Sequence, residues 1–281
     1  MEYKIGLHIH TTNSDGRKTP DEMAKIYKTA GFDAVAITDH WKYCPEGELE
    51  GLKIFSGCEY NIGAADTSDI VMHIVGVGMT SDPELKRDAS PQEIIDGIKA
   101  SGGTPVLAHP AWSLNSVEQI EALEGFGMLE IYNSVSVVHE STRPYSGYIV
   151  DLLANKGMIF PLTATDDAHY YDGSDETKSY IVVEAPSLEW HDIADAIESC
   201  NFYATQGPSL SVKREGDSIS VDCSECVQIC VKSNLSWAHG GVFHGEGLTH
   251  AEYKLRGTEK WIRVEIKDAD GREAWSNIIC I

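Results

Sequence analysis

The sequence has little positive charge and no long apolar run. Lys and Arg number 22 against 44 Asp and Glu, so the formal net charge is −22 over 281 residues. A surface this acidic repels phosphate backbones and anionic membranes, which disfavours a nucleic-acid-binding protein unless bound cations reverse the field locally. No apolar stretch approaches the roughly 18 residues of a transmembrane helix, and residues 1–4 lack the basic start of a signal peptide. We therefore expect a cytoplasmic protein without a membrane partner.

The cysteines form neither a disulfide framework nor a clear metal motif. Seven is an odd number, and four of them lie far apart among apolar neighbours: Cys44, Cys58, Cys200 and Cys280. Cys223 and Cys226 form a single C-x-x-C pair without a matching second pair, which is weak evidence for zinc. Because a chain of this length does not need disulfides for stability, we interpret the cysteines as reduced thiols.

Up to about residue 208, β-rich segments alternate with amphipathic helical patterns. Strands are predicted at residues 4–9, 34–38, 52–56, 70–77, 104–108, 128–132, 158–163 and 180–183. Two helix starts carry capping signals. Thr19 is an N-cap followed by a proline and by two carboxylates at the positive end of the helix dipole, and Ser90 forms a capping box with Glu93. Strands that alternate with helices predict a parallel α/β domain, either a barrel or a long open sheet.

After residue 208 the pattern changes to β-rich segments separated by turns, without a long helical pattern. The segments are residues 218–222, 227–232, 261–267 and 274–279. They predict a small all-β, sandwich-like domain at residues 209–281 that follows an α/β domain at residues 1–208. Three tryptophans are expected in the core of this β domain: Trp237, Trp261 and Trp275.

Histidine and acidic residues recur at the ends of the predicted strands. His8 and His10 stand at positions i and i+2 of one strand, so both imidazoles project from the same face. The other residues of this pattern are Asp15, Asp39, His40, Glu59, His73, His109, Asp167 and His169. In a parallel βα barrel, the carboxyl ends of the strands form the face on which active sites are assembled.

A single residue of this kind also has an ordinary explanation, as a hydrogen-bonded rim residue or a helix cap. Six of the eleven histidines share the pattern with several carboxylates. Burying so many ionisable groups together is costly unless cations compensate them. Histidine and carboxylate ligands without thiolates suit Zn, Mn or Fe. The sequence therefore predicts a site for several divalent metal ions.

These motifs resemble those of the PHP (polymerase and histidinol phosphatase) family. The matching segments are His8-Ile9-His10 with Asp15, Thr38-Asp39-His40, Gly57-Cys58-Glu59, His73-Ile74-Val75-Gly76, His109-Pro110 and Asp166-Asp167-Ala168-His169. The resemblance extends from residue 1 to about residue 208. It implies a distorted (β/α)7 TIM-like barrel that holds two to three metal ions.

The resemblance also implies how the ligands are divided. One metal would be held by His8, His10, Glu59 and Asp167, a second by Glu59 as a bridge with His73 and His109, and a third by Asp15, His40 and His169. The neighbouring Asp166 is interpreted as a residue beside the ligands, because the spacing of Asp167 from His169 fits the motif.

A site with several metals predicts hydrolysis of a phosphate ester. Metals about 4 Å apart can hold a bridging hydroxide and bind phosphoryl oxygens at their open positions. Asp39 is expected to orient an imidazole or to handle a proton. Arg143 and Lys178 are candidates for binding the phosphate, with a solvated surface charge as the alternative for both and the favoured one for Lys178, and Asn133 is either a site residue or a turn residue.

We expect a metal-dependent phosphoesterase that acts on a small phosphomonoester, a nucleotide or a related metabolite. A nucleic-acid substrate is disfavoured by the net charge of −22. Two alternatives stay open: a histidinol-phosphate phosphatase, which would use the same constellation, and a metal-binding module without turnover.

Overall fold

The computed structural model describes residues 1–139, 141–237 and 239–281 of a mixed α/β chain. Its helices are α1 (Pro20–Thr29), α2 (Pro91–Ala100), α3 (Val117–Glu121), α4 (Val135–Val138), α5 (Gly147–Asn155) and α6 (Trp190–Glu198). Its strands are β1 (Glu2–Gly6), β2 (Ala34–Ala36), β3 (Gly47–Leu49), β4 (Leu52–Phe55), β5 (Gly57–Ile62), β6 (Met72–Val77), β7 (Thr104–Leu107), β8 (Met128–Asn133), β9 (Leu162–Thr165), β10 (Tyr180–Glu184), β11 (Phe202–Thr205), β12 (Leu210–Glu215), β13 (Ser218–Ser233), β14 (Val242–Lys254), β15 (Trp261–Lys267), β16 (Glu273–Ser276) and β17 (Ile279–Cys280). Within these described residues, no helix is long and apolar enough to cross a membrane.

The two predicted capping signals are confirmed. The hydroxyl of Thr19 accepts a hydrogen bond from the amide of Glu22, whose carboxylate in turn accepts one from the amide of Thr19. Ser90 and Glu93 form the same reciprocal pair at the start of α2. Each pair satisfies amide groups that have no partner inside the helix, so the first turn of the helix is fixed by local sequence alone.

The strands form two sheets. Strands β5 to β9 lie in chain order in a five-stranded sheet, in which β7, β8 and β9 are parallel. The other sheet has 12 strands and contains β1 to β4, β10, β11 and all the later strands. The largest apolar cluster includes residues of both sheets, among them Ile5 of β1 and Ile131 of β8, so the two sheets share a core.

The described strands do not close into one barrel, and the predicted TIM-like closure is not found. Closure would need β1 to pair with β9. One edge of β1 is instead occupied by β10, which pairs with it antiparallel, and β2 occupies the other edge. Because a strand has only two hydrogen-bonding edges, β1 has none left for β9. In the described part of the chain, the backbones of the two sheets are joined by isolated bridges, among them Ile9 with Ala168 and His40 with Glu59, while their side chains share the core.

Five strands escape the sequence analysis: β3, β5, β11, β12 and β14. Strand β14 is mostly exposed and carries polar residues on both faces, so no alternation of apolar and polar residues reveals it. Strand β5 follows β4 after only Ser56, and it places Glu59 inside a strand. The backbones are close here, since a Cβ atom on Gly57 would stand 2.5 Å from the carbonyl oxygen of Ile37. Glycine at this position therefore allows β5 to approach the chain that follows β2.

The described residues after 208 form strands and turns without a helix. They extend the 12-stranded sheet, because β16 pairs with β11 in register from Tyr203 with Ser276 to Thr205 with Ala274. They also enclose an apolar cluster of their own, which includes Ile219 and Val264. Since one sheet continues across residue 208, the division into domains 1–208 and 209–281 stays a prediction.

The tryptophans of the C-terminal strands correct one expectation. Trp237 is 72% exposed rather than buried. Trp261 and Trp275 are buried, but they belong to the core of the α/β part, where Trp275 stacks on Tyr132 of β8 with ring centroids 5.1 Å apart. Aromatic rings this large exclude much apolar surface from water, so the C-terminal strands stabilise the sheet that carries the site.

Candidate metal centre

Nine polar side chains converge at one end of the two sheets. They are His8, His10, Asp15, His40, Glu59, His73, His109, Asp167 and His169, the residues that the sequence predicts as ligands. Most follow the ends of β1, β2, β7 and β9, two lie in β5 and β6, and Asp15 lies in the loop before α1. The structure brings all nine together, although the chain leaves the β1 strand before His8 and His10.

The first group consists of His8, His10, Glu59 and Asp167, all buried. The Nε2 atoms of both histidines lie 3.2 and 3.1 Å from Asp167 Oδ1 and 3.3 and 3.1 Å from carboxylate oxygens of Glu59. Atoms that bind one tetrahedral ion at about 2.0–2.1 Å lie about 3.3 Å from one another. The separations in this group therefore match those of ligands around one ion.

The second group consists of Glu59, His73 and His109. Glu59 Oε1 lies 3.0 Å from His73 Nδ1 and 3.5 Å from His109 Nε2. The other ring nitrogen of His109 is 3.1 Å from the hydroxyl of Ser113, which fixes the rotation of the ring. Glu59 thus contributes one oxygen to this group and faces the first group as well.

The third group lies nearer to solvent and consists of His10, Asp15, His40 and His169. The carboxylate of Asp15 is 3.5 Å from a ring nitrogen of each of the three histidines. His10 takes part with its Nδ1 here and with its Nε2 in the first group, whereas the resemblance assigns it to the first metal only. The rings of His10 and His169 stack with centroids 4.0 Å apart.

Unsatisfied polar atoms indicate that these groups fit metal ions. Among the described residues, His40 Nδ1, Glu59 Oε2 and Asp167 Oδ1 are buried and form no hydrogen bond of acceptable geometry, although imidazole or carboxylate atoms lie 2.9 to 3.2 Å away. A buried polar atom without a partner is costly, and a bound cation removes that cost. His109 and Asp167 also have positive φ angles of 28° and 52°, and such strained residues cluster at functional sites. The donor set and its orphaned atoms fit divalent ions.

Asp39 has a different place from the one predicted. Its buried carboxylate accepts hydrogen bonds from the amide and hydroxyl of Thr11, at 2.7 and 2.6 Å, and from the amide and hydroxyl of Ser14. Among the described residues it contacts no imidazole. With four donors satisfied by one loop, Asp39 holds the segment between His10 and Asp15 rather than orienting His40.

Glu130 of β8 is a site residue that the sequence analysis missed. Its Oε1 lies 2.7 Å from His8 Nδ1, and its Oε2 accepts hydrogen bonds from the amide of His109 and from the side chain of Asn133. A carboxylate behind a ligand histidine fixes the tautomer and orientation of the ring. Asn133 also donates to Asp167 Oδ2 at 3.1 Å, so it belongs to the site.

A signal for Glu130 was present in the sequence. A carboxylate in the middle of the apolar strand β8 is buried only when it is paired. The partners cannot be read locally, because His8 lies 122 residues away along the chain.

Asp166 stands beside the ligands and not among them. Its carboxylate accepts hydrogen bonds from the hydroxyl of Tyr27 in α1 and from the amides of Lys178 and Ser179. Burial raises the pKa of Asp166 to about 7, against the effect of these donors. The contacts agree with the interpretation that Asp167, and not Asp166, faces the metal groups.

The histidines and carboxylates of the centre shift one another's pKa. Burial alone would lower the pKa of His8, but the carboxylates of Asp167, Glu59 and Glu130 outweigh it and raise that pKa well above the usual value. In the same way, burial opposes Asp15 and Asp167, which together raise the pKa of His169 to about 9. Without metal, therefore, protons on His8 and His169 balance part of the charge of the buried carboxylates.

Metal loading is expected to release protons, because only the neutral imidazole binds a metal ion. With a pKa of about 9, His169 is protonated at pH 7 in the metal-free protein. Apparent metal affinity should then rise as pH rises, by about tenfold per pH unit for each proton displaced, until the pH passes the raised pKa values. Calorimetric titration with Zn²⁺ at pH 7 in two buffers of different ionisation enthalpy measures the release. Identical heats in both buffers would contradict this prediction.

A cavity of about 360 Å³ opens onto the centre. Its wall includes six of the ligand candidates together with five residues that the sequence analysis did not single out: Arg17, Trp112, Val135, Ser136 and Tyr170. Arg143, predicted as a phosphate-binding residue, lies instead on a neighbouring depression beside Asp66 and Asp69. Lys178 is exposed, and it contacts Asp166 through its backbone amide.

Comparisons with known proteins agree on the family. Residues 6–159 match the PHP domain. An uncharacterized protein of Methanocaldococcus jannaschii is 31% identical over 120 residues, which cover 38% of this chain and 67% of that protein.

Two solved structures share the fold. One is a two-domain protein from Bacteroides vulgatus ATCC 8482 that contains a predicted PHP-like metal-dependent phosphoesterase, with a TM-score of 0.58 at 14% identity over 100% of this chain and 95% of that one. The other is the lesion-specific endonuclease PfuEndoQ from Pyrococcus furiosus, with a TM-score of 0.52 at 16% identity over 71% of this chain and 56% of that one.

Proposed function

The chain belongs to the PHP domain family, and from this membership we propose that it is a metal-dependent phosphoesterase that hydrolyses a small phosphomonoester. One observation carries the proposal. Three groups of candidate ligand atoms, two of which share Glu59, lie side by side, and members of each group line a single cavity. Adjacent divalent ions with a shared carboxylate are the arrangement that hydrolytic enzymes use on phosphate esters.

The residues of the chain have separate tasks in this proposal. When bound, two or three ions of Zn, Mn or Fe would lower the pKa of water and neutralise the charge of the phosphoryl group. Glu59 places a negative charge between the groups and so reduces the repulsion between neighbouring dications. Glu130 keeps His8 in the tautomer whose Nε2 faces the centre. Trp112, whose ring centroid lies 4.8 Å from that of His109, covers the rim of the cavity.

We further propose that the two sheets together are a distorted and incompletely closed form of the seven-stranded barrel. The bridges from Ile9 to Ala168 and from His40 to Glu59 support this proposal, because they stand where a closed barrel would have ladders. We also propose a cytoplasmic location, which rests on the interpretation of the cysteines as reduced thiols.

Metal content follows from the number of ligands. Nine side chains are too many for one ion with an open position and fit two or three. Protein purified without chelators should contain at least about two equivalents of Zn, Mn or Fe by elemental analysis. A reproducible value of one or less, unchanged by supplementation of the growth medium with Mn or Zn, would contradict this.

Substrate screening tests the function. Mn-loaded and Zn-loaded protein are incubated with nucleoside monophosphates, sugar phosphates, histidinol phosphate and phosphodiesters, and released phosphate or alcohol is measured.

The cavity of about 360 Å³ lies in the range of small-molecule sites. We expect hydrolysis of a monoester, with a nucleotide favoured and histidinol phosphate as the alternative. Hydrolysis of no member would favour the metal-binding module without turnover. The charge of −22 opposes a duplex DNA substrate.

A further inference from the structure

Arg17 lines the cavity above the metal centre but belongs to none of the ligand groups. It follows Asp15 and Gly16 in the loop before α1. A Cβ atom on Gly16 would stand 2.5 Å from the carbonyl of His10, so this loop lies directly against the backbone of a ligand residue. The amide of Arg17 donates a 2.8 Å hydrogen bond to the carbonyl of His169. The backbone of Arg17 is therefore fixed between two ligand-bearing segments.

The guanidinium of Arg17 is held by an aromatic ring and not by an anion. It lies over the ring of Tyr170, 4.6 Å from the ring centroid. Tyr170 in turn stacks on His139 with centroids 3.7 Å apart, and His139 lies 3.2 Å from Asp172. In the described part of the chain, the guanidinium forms no ion pair. Its five N–H donors thus stay available while stacking limits its movement.

The position of Arg17 is unusual because the side chains that line the cavity include more carboxylates than Lys or Arg groups. Among the described residues that line it, Arg17 is the only Lys or Arg, and Asp15, Glu59 and Asp167 are carboxylates. Two other arginines of this acidic chain are paired with carboxylates, Arg263 with Asp151 and Arg272 with Asp268. A permanently charged guanidinium without a carboxylate partner, beside a metal centre, matches an anion that arrives with the substrate.

We propose that Arg17 binds non-bridging oxygens of the substrate's phosphoryl group and favours the dianionic monoester over a monoanionic diester. This inference rests on the proposed function for its substrate. A guanidinium can contact two phosphoryl oxygens at once through its planar fork. A monoester offers one more charged oxygen than a diester does, so the loss of this contact affects the monoester more.

Two substitutions and one matched control test the assignment. Arg17→Met keeps an apolar stem on Tyr170 and removes the charge, whereas Arg17→Lys keeps the charge and loses the fork. The control is Arg87→Met, because Arg87 also lies on an aromatic ring, 4.8 Å from the centroid of Trp41, but does not line the cavity. Metal content and circular dichroism are recorded for each protein. Binding of inorganic phosphate to the Mn-loaded proteins is measured by calorimetry.

Arg17→Met should weaken phosphate binding by roughly 10- to 100-fold, as expected for the loss of charge-assisted hydrogen bonds. Arg17→Lys should be intermediate and Arg87→Met unchanged. With p-nitrophenyl phosphate and bis(p-nitrophenyl) phosphate as substrates, kcat/KM should fall more for the monoester than for the diester. Metal content should stay at the level of the unaltered protein.

The outcomes separate this inference from the proposed function. Unchanged phosphate affinity in Arg17→Met, or an equal loss for monoester and diester, would overturn the role of Arg17 and leave hydrolysis intact. Loss of metal from Arg17→Met would also overturn it, because the effect would then come through the centre. Another outcome is that the unaltered protein hydrolyses no ester and yet binds inorganic phosphate more tightly than Arg17→Met does. In that case the role of Arg17 stands and the proposed function fails.

Discussion

Glu59→Gln is expected to lower turnover of the substrate by at least about 100-fold and to reduce metal content. Replacement of residues that merely contact a ligand already costs about 10- to 100-fold in affinity or activity, and Glu59 faces two ligand groups itself. Burial alone would raise the pKa of Glu59, but the imidazoles of His40, His8 and His73 outweigh it and hold that pKa well below its usual range. The amide of Gln cannot supply this charge.

The control for Glu59→Gln is Glu121→Gln. Glu121 is an exposed carboxylate paired with Lys156, it belongs to none of the ligand groups and does not line the cavity, and such surface pairs contribute little to stability. Elemental analysis and phosphate release are measured on both variants. Near-normal turnover with full metal content in Glu59→Gln would show that Glu59 does not join the groups and that the centre must be assigned again.

Glu130→Gln is expected to weaken metal binding by roughly 10- to 100-fold. The carboxylate of Glu130 accepts from four donors: His8 Nδ1, the hydroxyl of Thr165, the amide of His109 and the side-chain amide of Asn133. A glutamine amide group would direct its own N–H donors at two of these four. The buried donors left without an acceptor should also cost about 1–3 kcal/mol of unfolding free energy. Competition with a chromophoric chelator measures the affinity, and urea denaturation measures the stability.

Asp166→Asn is the matched control for Glu130→Gln, since Asp166 is also buried and lies next to Asp167. Its partners are Tyr27, Lys178 and Ser179 and not the ligand histidines. The oxygen of Asn can still accept from the two amides, and its NH₂ group can donate to the Tyr27 hydroxyl. Metal affinity should therefore stay close to that of the unaltered protein. If Asp166→Asn lost metal and Glu130→Gln kept it, the assignments of these two carboxylates would be reversed.

Two loops show how local and distant contacts combine at the centre. Asp39 closes the loop from His10 to Asp15 through Thr11 and Ser14, so His10 and Asp15 are held by a residue that itself neighbours His40. Asp175, which is fully buried, accepts hydrogen bonds from the amides of residues 169–171 and holds the loop that carries His169 and Tyr170. Both carboxylates accept hydrogen bonds from backbone amides. They thereby fix the positions of the candidate ligands, although neither carboxylate would contact a metal itself.

The sequence by itself determined the set of candidate ligands that the structure brings together and the local starts of the helices. His8, His10 and the other candidates were recognisable because polar residues at the ends of apolar strands break a local pattern. The caps at Thr19 and Ser90 were recognisable for the same reason, since their partners lie three residues away. The change to a β-rich C-terminal part could also be read from the chain, because composition and turn spacing are local properties.

Only the tertiary structure decided which strands share an edge and which groups line the cavity. β10 takes the edge of β1 that barrel closure would need, and Trp275 packs against β8 instead of within the C-terminal strands. Glu130 meets His8 from 122 residues away, Arg17 enters the cavity, and Arg143 stays outside it. The physical reason is that pairing, burial and charge neutralisation depend on distances in space. Residues remote in the chain set those distances, and no local pattern records them.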